Sequence, residues 1–207
     1  MGICRNAWSF PRPYVHWSIQ SAFAHCCGLL AASIGFNAKK ATGAGPRVLY
    51  YSHNLDWQGA PNSLFELALG VKHQGHLQPV VITAADGPLR PIFEAAGITV
   101  LHDPRKGNPF KSERTFEAYI SKLAMQFRRI KPDLVHANTL QSFPAIIAAK
   151  RLGIPVVFNI RESESPKTYF DFLPEALRQY AYNTYTDANW LVFVSQTTRA
   201  RWADVAA

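Results

Sequence analysis

The chain has 207 residues, 48% of them hydrophobic, with 22 Lys and Arg against 14 Asp and Glu for a net charge of +8. This length buries one good core with an appendage rather than two full domains. No run reaches the roughly 18–20 uninterrupted apolar residues that span a bilayer.

Residues 1–46 carry Arg5, Arg12, Lys39 and Lys40 and no acidic residue, so half of the surplus sits in this segment. Such a surplus favours anionic partners (phosphates, acidic lipid headgroups or nucleic acid) without choosing among them. All three cysteines, Cys4, Cys26 and Cys27, also lie here. The remainder has no disulfide framework, which points to a reducing, cytoplasmic setting. His25-Cys26-Cys27 offers metal-ligand atoms, but no second cluster closes a site, so no metal is expected. The apolar stretch Ala22–Phe36 has features of a signal-peptide core, and the acid-free composition those of a transit peptide. The preferred reading of 1–46 is plainer: a disordered extension, or a start codon placed too far upstream.

After the Gly/Pro-rich linker 41–46, strands and helices alternate. Arg47–His53 reads as the first strand, followed by a polar loop, with Pro61 at the first helical position. Leu64, Phe65, Leu67, Ala68 and Val71 then recur at helical spacing through His73. Further strands are expected at Pro79–Thr83, Ile98–Leu101, Leu134–Ala137, Val156–Ile160 and Leu191–Val194. Helices are expected between them, near Pro88–Ala96, Ser112–Ile130, Phe143–Leu152 and Pro174–Thr186, with a last one at Ser195–Ala203. Several strands are continuous apolar runs, as when helices cover both faces of a parallel sheet. Gly97 and Gly153 stand where helix C-caps belong. The expected fold of 47–207 is α/β: one doubly wound, mostly parallel Rossmann-like sheet with helices on both faces. Open sheets of this kind bind ligands at the carboxyl ends of their strands.

Four segments could carry chemistry. Gln58-Gly59-Ala60 precedes a helix N-terminus, where backbone N–H groups and the helix dipole attract an anion; Gly59 is also readable as an ordinary turn glycine. The loop is neither a dinucleotide fingerprint nor a Walker A loop. His136 and Asn138 end a buried strand, where an imidazole can act as general base or bind a sugar hydroxyl; the alternative is a core histidine bonded to backbone. Arg161-Glu162 is either an ion pair worth little or a guanidinium aimed at a phosphate or carboxylate. The helix bearing Lys111, Arg114, Lys122, Arg128, Arg129 and Lys131 opposes these charges to Phe116, Tyr119, Ile120, Leu123 and Phe127. It reads as a packed helix with a solvated face, or as one resting on an anionic membrane. No nucleic-acid motif accompanies the basic charge, and nucleic acid is not an expected partner.

Four stretches, taken together and in order, resemble the N-terminal domain of family 4 glycosyltransferases, which have the GT-B architecture. They are "RVLYYSHNLDWQGAPNSLFELALGVKHQGH", "VVITAADGPLRPIFEAAGITV", "KPDLVHANTLQSFPAIIAAKRLGIPVVFNIRE" and "LVFVSQTTRARW". The resemblance implies that Gln58-Gly59-Ala60 lies near a donor diphosphate and an acceptor, and that His136 lines the acceptor pocket as the catalytic candidate. It puts Arg161 and Glu162 on the cleft and Ser195 at the step into a hinge. Many relatives have a second histidine where Asn138 stands here. The family's E-x7-E pattern of the donor domain is absent, since Phe170 and Phe172 occupy the positions eight residues after Glu162 and Glu164.

The expectation is therefore the acceptor-side half of an enzyme that moves a sugar from a nucleotide-sugar donor, a substrate rather than a cofactor, to a glycan or lipid-linked acceptor. By itself this half is expected to be inactive, and a donor domain on a separate polypeptide is one possible partner. Peripheral contact with an anionic membrane is another. The alternative is a non-catalytic sugar- or phospholipid-binding module of the same fold.

Overall fold

The structure is a computed structural model that describes residues 45–202; the basic segment, its cysteines and its apolar stretch lie outside the described residues, except for Gly45 and Pro46. Among the described residues, six strands alternate with seven α-helices: β1 (Arg47–Ser52), α1 (Gly59–His73), β2 (Gln78–Thr83), α2 (Arg90–Ala95), β3 (Thr99–His102), α3 (Glu113–Ile130), β4 (Leu134–Asn138), α4 (Phe143–Arg151), β5 (Val156–Ile160), α5 (Pro166–Tyr169), α6 (Glu175–Asp187), β6 (Trp190–Phe193) and α7 (Gln196–Arg201). Two 3-10 turns, Pro109–Lys111 and Leu140–Ser142, precede α3 and α4.

All strand pairs are parallel, in the order β3-β2-β1-β4-β5-β6. Strand alternation divides the core into two layers. Leu49, Tyr51, Val135, Ala137 and Phe158 face α3, α4 and α6. Val48, Tyr50, Val81, Leu134, Val157 and Val192 face α1 and α2. Each strand is therefore apolar on both sides, which is why the strands read as continuous runs and not as alternating ones.

Helix α3 illustrates how sequence fixes an element. Phe116, Tyr119, Ile120, Leu123 and Phe127 recur every three or four residues and are all buried, each contributing roughly 1.5–3 kcal/mol by leaving water. At its start the Ser112 hydroxyl accepts from the Thr115 N–H while the Thr115 hydroxyl accepts from the Ser112 N–H, a reciprocal cap. Gly97 and Gly153 take positive φ of 67° and 68° behind α2 and α4, as their positions in the sequence imply.

All six expected strands are present within a residue or two of their expected bounds. The differences have local causes. His53 falls beyond β1 and Val194 beyond β6, because the neighbouring strands end there. The short α5 and the two 3-10 turns are too brief to show a periodicity.

The order reverses at β1: the chain winds outward to β2 and β3, then crosses back to place β4 on β1's other side. Ser52 and Asn138 pair across this divide. The crevice at the carboxyl ends of β1 and β4 is the switch point where open sheets of this class take ligands.

Candidate functional site

The β1–α1 loop forms one rim of this crevice. The Ser52 hydroxyl donates to the Asn54 carbonyl (2.7 Å), and the Asn54 side chain accepts from the Asp56 N–H (3.3 Å), which folds the loop tightly. Helix α1 then starts with no side-chain cap on its first turn; Gln58, at the N-cap, is extended and exposed. Gly59 is exposed as well, and nothing lies within 4 Å of where a Cβ would project. The first turn of α1 thus opens outward, the geometry that suits a phosphate or hydroxyl oxygen. From beneath, Gly87 braces the loop: a Cβ there would sit 2.3 Å from the backbone carbonyl of Leu55.

Strand β4 supplies the floor. Asn138, fully buried, donates through Nδ2 to the Ala60 carbonyl (3.0 Å) and accepts at Oδ1 from Arg161 Nε (2.9 Å). One amide therefore ties the start of α1 to the end of β5 and aims the guanidinium. Burial lowers the pKa of Arg161, opposed by the nearby Glu162 carboxylate. Arg161 and Glu162 make no ion pair with each other. Both Glu162 oxygens instead accept from the Leu140 N–H (3.1 Å), and Oε2 also accepts from the Arg161 N–H (3.1 Å). The carboxylate caps the turn leading into α4. Burial raises the Glu162 pKa and outweighs these hydrogen bonds.

His136 lies two residues deeper along the same face of β4. It is 2% exposed, its ring sits 5.4 Å from that of Tyr50, and neither ring nitrogen hydrogen-bonds another described residue. Burial first, and the Arg161 charge second, push its pKa down to about 3. Ser195, expected at a hinge step, caps α7 by accepting from the Thr198 N–H (3.0 Å).

Two residues that the sequence did not single out complete the crevice. Thr139 has φ 79° and ψ 162°, a region nearly reserved for glycine and costing of order 1–3 kcal/mol. Its hydroxyl meets Nδ1 of half-buried His53 at 3.1 Å. Burial lowers the His53 pKa, and Arg105 adds to this while Asp56 opposes it. The sequence placed His53 only at the end of the first strand, and positive φ at a threonine leaves no mark in composition.

The Gln58–Ala60 loop, Asn138 and Arg161 thus meet at one edge, together with His53 and Thr139. Among the described residues, no group of three or more His, Cys, Asp or Glu is placed to hold a metal ion. The edge offers an oriented guanidinium, a neutral imidazole and an open helix start: groups suited to hydroxyls and anionic oxygens.

The glycosyltransferase family 4 model matches residues 57–206, most of the chain. The chain belongs to this family. The family 4 domain also superposes on solved structures. HepE of Anabaena, solved in complex with UDP and glucose, is 18% identical with a TM-score of 0.58 over 77% of this chain and 41% of that one. A glycosyltransferase of Rickettsia africae is 16% identical with a TM-score of 0.58 over 78% and 40%. The UDP-GlcNAc 2-epimerase of Neisseria meningitidis, bound to UDP-GlcNAc, is 18% identical with a TM-score of 0.52 over 79% and 43%. The chain spans about two fifths of the length of these proteins. No curated protein matches it in sequence. At such identities the superposition establishes the fold, a GT-B-type Rossmann-like domain, which transferases and epimerases share. No helix of the family 4 domain is long and apolar enough to cross a membrane among the described residues.

Proposed function

We propose that residues 47–207 form the acceptor-side half of a glycosyltransferase that transfers a sugar from a nucleotide-sugar donor to a glycan or lipid-linked acceptor. The observation that carries this reading is the convergence of Gln58–Ala60, Asn138 and Arg161 on the switch-point crevice of a family 4 chain. Proteins with this fold were solved with UDP, glucose or UDP-GlcNAc bound, which supports a nucleotide sugar as donor.

In transfer, an acceptor hydroxyl oxygen bonds to the anomeric carbon of the donor as the bond from that carbon to the diphosphate breaks, and the hydroxyl proton leaves with the diphosphate oxygen. The domain described here contributes the acceptor wall. Arg161, aimed by Asn138, hydrogen-bonds the acceptor, and the open first turn of α1 faces the diphosphate. His136 forms the floor beneath them as a positioning residue. A histidine held neutral down to about pH 3 and sealed from the crevice is a weak proton acceptor at neutral pH. The donor base and sugar need a second wall, so this half alone is inactive.

Saturation-transfer NMR with a panel of mono- and disaccharides tests the acceptor wall. Binding is expected for at least one sugar, roughly tenfold weaker in R161M through loss of a charge-assisted bond. Sugar binding that ignores R161M, or its absence across the panel, overturns the placement of the acceptor.

A further inference from the structure

A second feature lies on the same edge of the sheet, outboard of the crevice. The loop after β3 and the first turns of α3 line a half-open cavity of about 160 Å³, some ten times the ~10–15 Å³ that one water requires. Thr115, Ala118, Tyr119 and Lys122 line it from one face of α3, at i, i+3, i+4 and i+7. The loop contributes Arg105, Lys106 and Asn108. Three cations thus border the cavity and no carboxylate does.

The nearest acid, Asp103, has a fully buried side chain and is fully engaged. It accepts from the hydroxyls of Tyr51 and Tyr119, from the Arg105 N–H (2.8 Å) and from Arg105 Nε (2.9 Å). Arg105 Nη2 donates to the same two hydroxyls, at 2.9 Å and 3.2 Å, and to Asp103 Oδ2 (3.2 Å). The guanidinium also lies 5.4 Å over the Tyr119 ring. It is therefore held rigid, with its charge partly balanced and Nη1 outside this set of bonds. Lys106 and Lys122 are exposed and make no ion pair among the described residues. Such a site is preorganised: one fixed guanidinium with Nη1 left to donate, two mobile counter-charges, and no acid in the lining, Asp103 behind it being already paired.

We propose that this cavity binds a phosphate ester, with Arg105 Nη1 as the oriented donor and Lys106 and Lys122 as counter-charges. Resting on the reading of this half as the acceptor side, the ester belongs to the acceptor. A sugar phosphate and a phospholipid headgroup present the same chemistry. In either case the phosphate anchors the acceptor while its hydroxyl reaches the crevice at His53, whose imidazole already feels the charge of Arg105.

The test is titration calorimetry of the chain with glucose 6-phosphate, inorganic phosphate and glucose. It is paired with co-sedimentation on phosphatidylcholine vesicles with and without phosphatidylglycerol. The wild type is compared with K106Q/K122Q, two solvated positions where an unchanged thermal midpoint verifies the fold. Saturable phosphate binding, at least roughly tenfold weaker in the double variant, supports the site and a soluble source. Binding only to the anionic vesicles, lost in the double variant, supports the site with a lipid source. Equal affinity for glucose and glucose 6-phosphate overturns the proposal, as does anion binding that ignores the double substitution or no anion binding in either arm. Sugar binding sensitive to R161M with phosphate binding absent removes this site and leaves the acceptor-side reading intact.

Discussion

At the scale of single residues, His136 carries the clearest energetic signature. Above its ordinary pKa of 6.5, the folded and unfolded chains both hold it neutral. Below that, the unfolded chain takes a proton that the folded one refuses until pH nears 3. Its contribution therefore lowers stability by about 1.4 kcal/mol per pH unit through this window. Urea unfolding of wild type and H136L at pH 7.5 and pH 5 checks this. The wild type is expected to lose about 2 kcal/mol more than H136L on acidification. Equal losses would mean that water reaches the imidazole. The sequence placed His136 on the right strand but could not distinguish crevice from floor, because both lie on the same face of β4, two residues apart. Asn138, expected at the strand end as a substrate-binding candidate, is the residue that joins α1 to Arg161. Its two bonds span 78 and 23 residues, and no local pattern encodes such partners.

At the scale of elements, most of the structure was legible. Apolar runs marked the strands, helical spacing marked α1 and α3, the intervals between strands marked α4 and α6, and glycines marked two of the helix ends. The end of α3 is different, since Lys131 takes φ 54° and ψ 58° there, where glycine is usual. K131G is expected to raise stability by about 0.5–1 kcal/mol, the left-handed cost exceeding the added freedom of the unfolded chain. Chemical denaturation reads the sign, and a loss of stability would mean that the lysine side chain makes a compensating contact. Gly87 gives the opposite case. Its Cα faces the Leu55 backbone too closely for a Cβ, so G87A is expected to cost about 1–3 kcal/mol or more. It is also expected to speed amide exchange across 53–60. A neutral G87A would show that the loop is free to move away. A sequence displays this glycine as one more turn residue, because the contact is with a loop 32 positions earlier.

At the scale of the whole molecule, strand order decides what the polar residues mean. Gln58, His53, Asn138, Thr139 and Arg161 are scattered over more than a hundred positions. They become one site only because the winding order of the parallel strands reverses at β1, which opens a crevice between the carboxyl ends of β1 and β4. The fold class was readable without that knowledge. The candidate residues Gln58–Ala60, His136, Asn138 and Arg161 were legible as strand-end and helix-start positions, whereas the strained Thr139 and its bond to His53 depend on three-dimensional closure.

On the proposed reading, this edge is an acceptor wall that needs a second wall for the donor. Hydrogen–deuterium exchange of the 207-residue chain with candidate acceptors and with UDP-glucose, with UDP release followed in parallel, tests it most directly. The expected result is protection of residues 53–60 and 138–141 by an acceptor, no UDP release, and little protection by UDP-glucose. Sustained UDP release from UDP-glucose by this chain alone, or protection of that edge by the donor and by no acceptor, would contradict it.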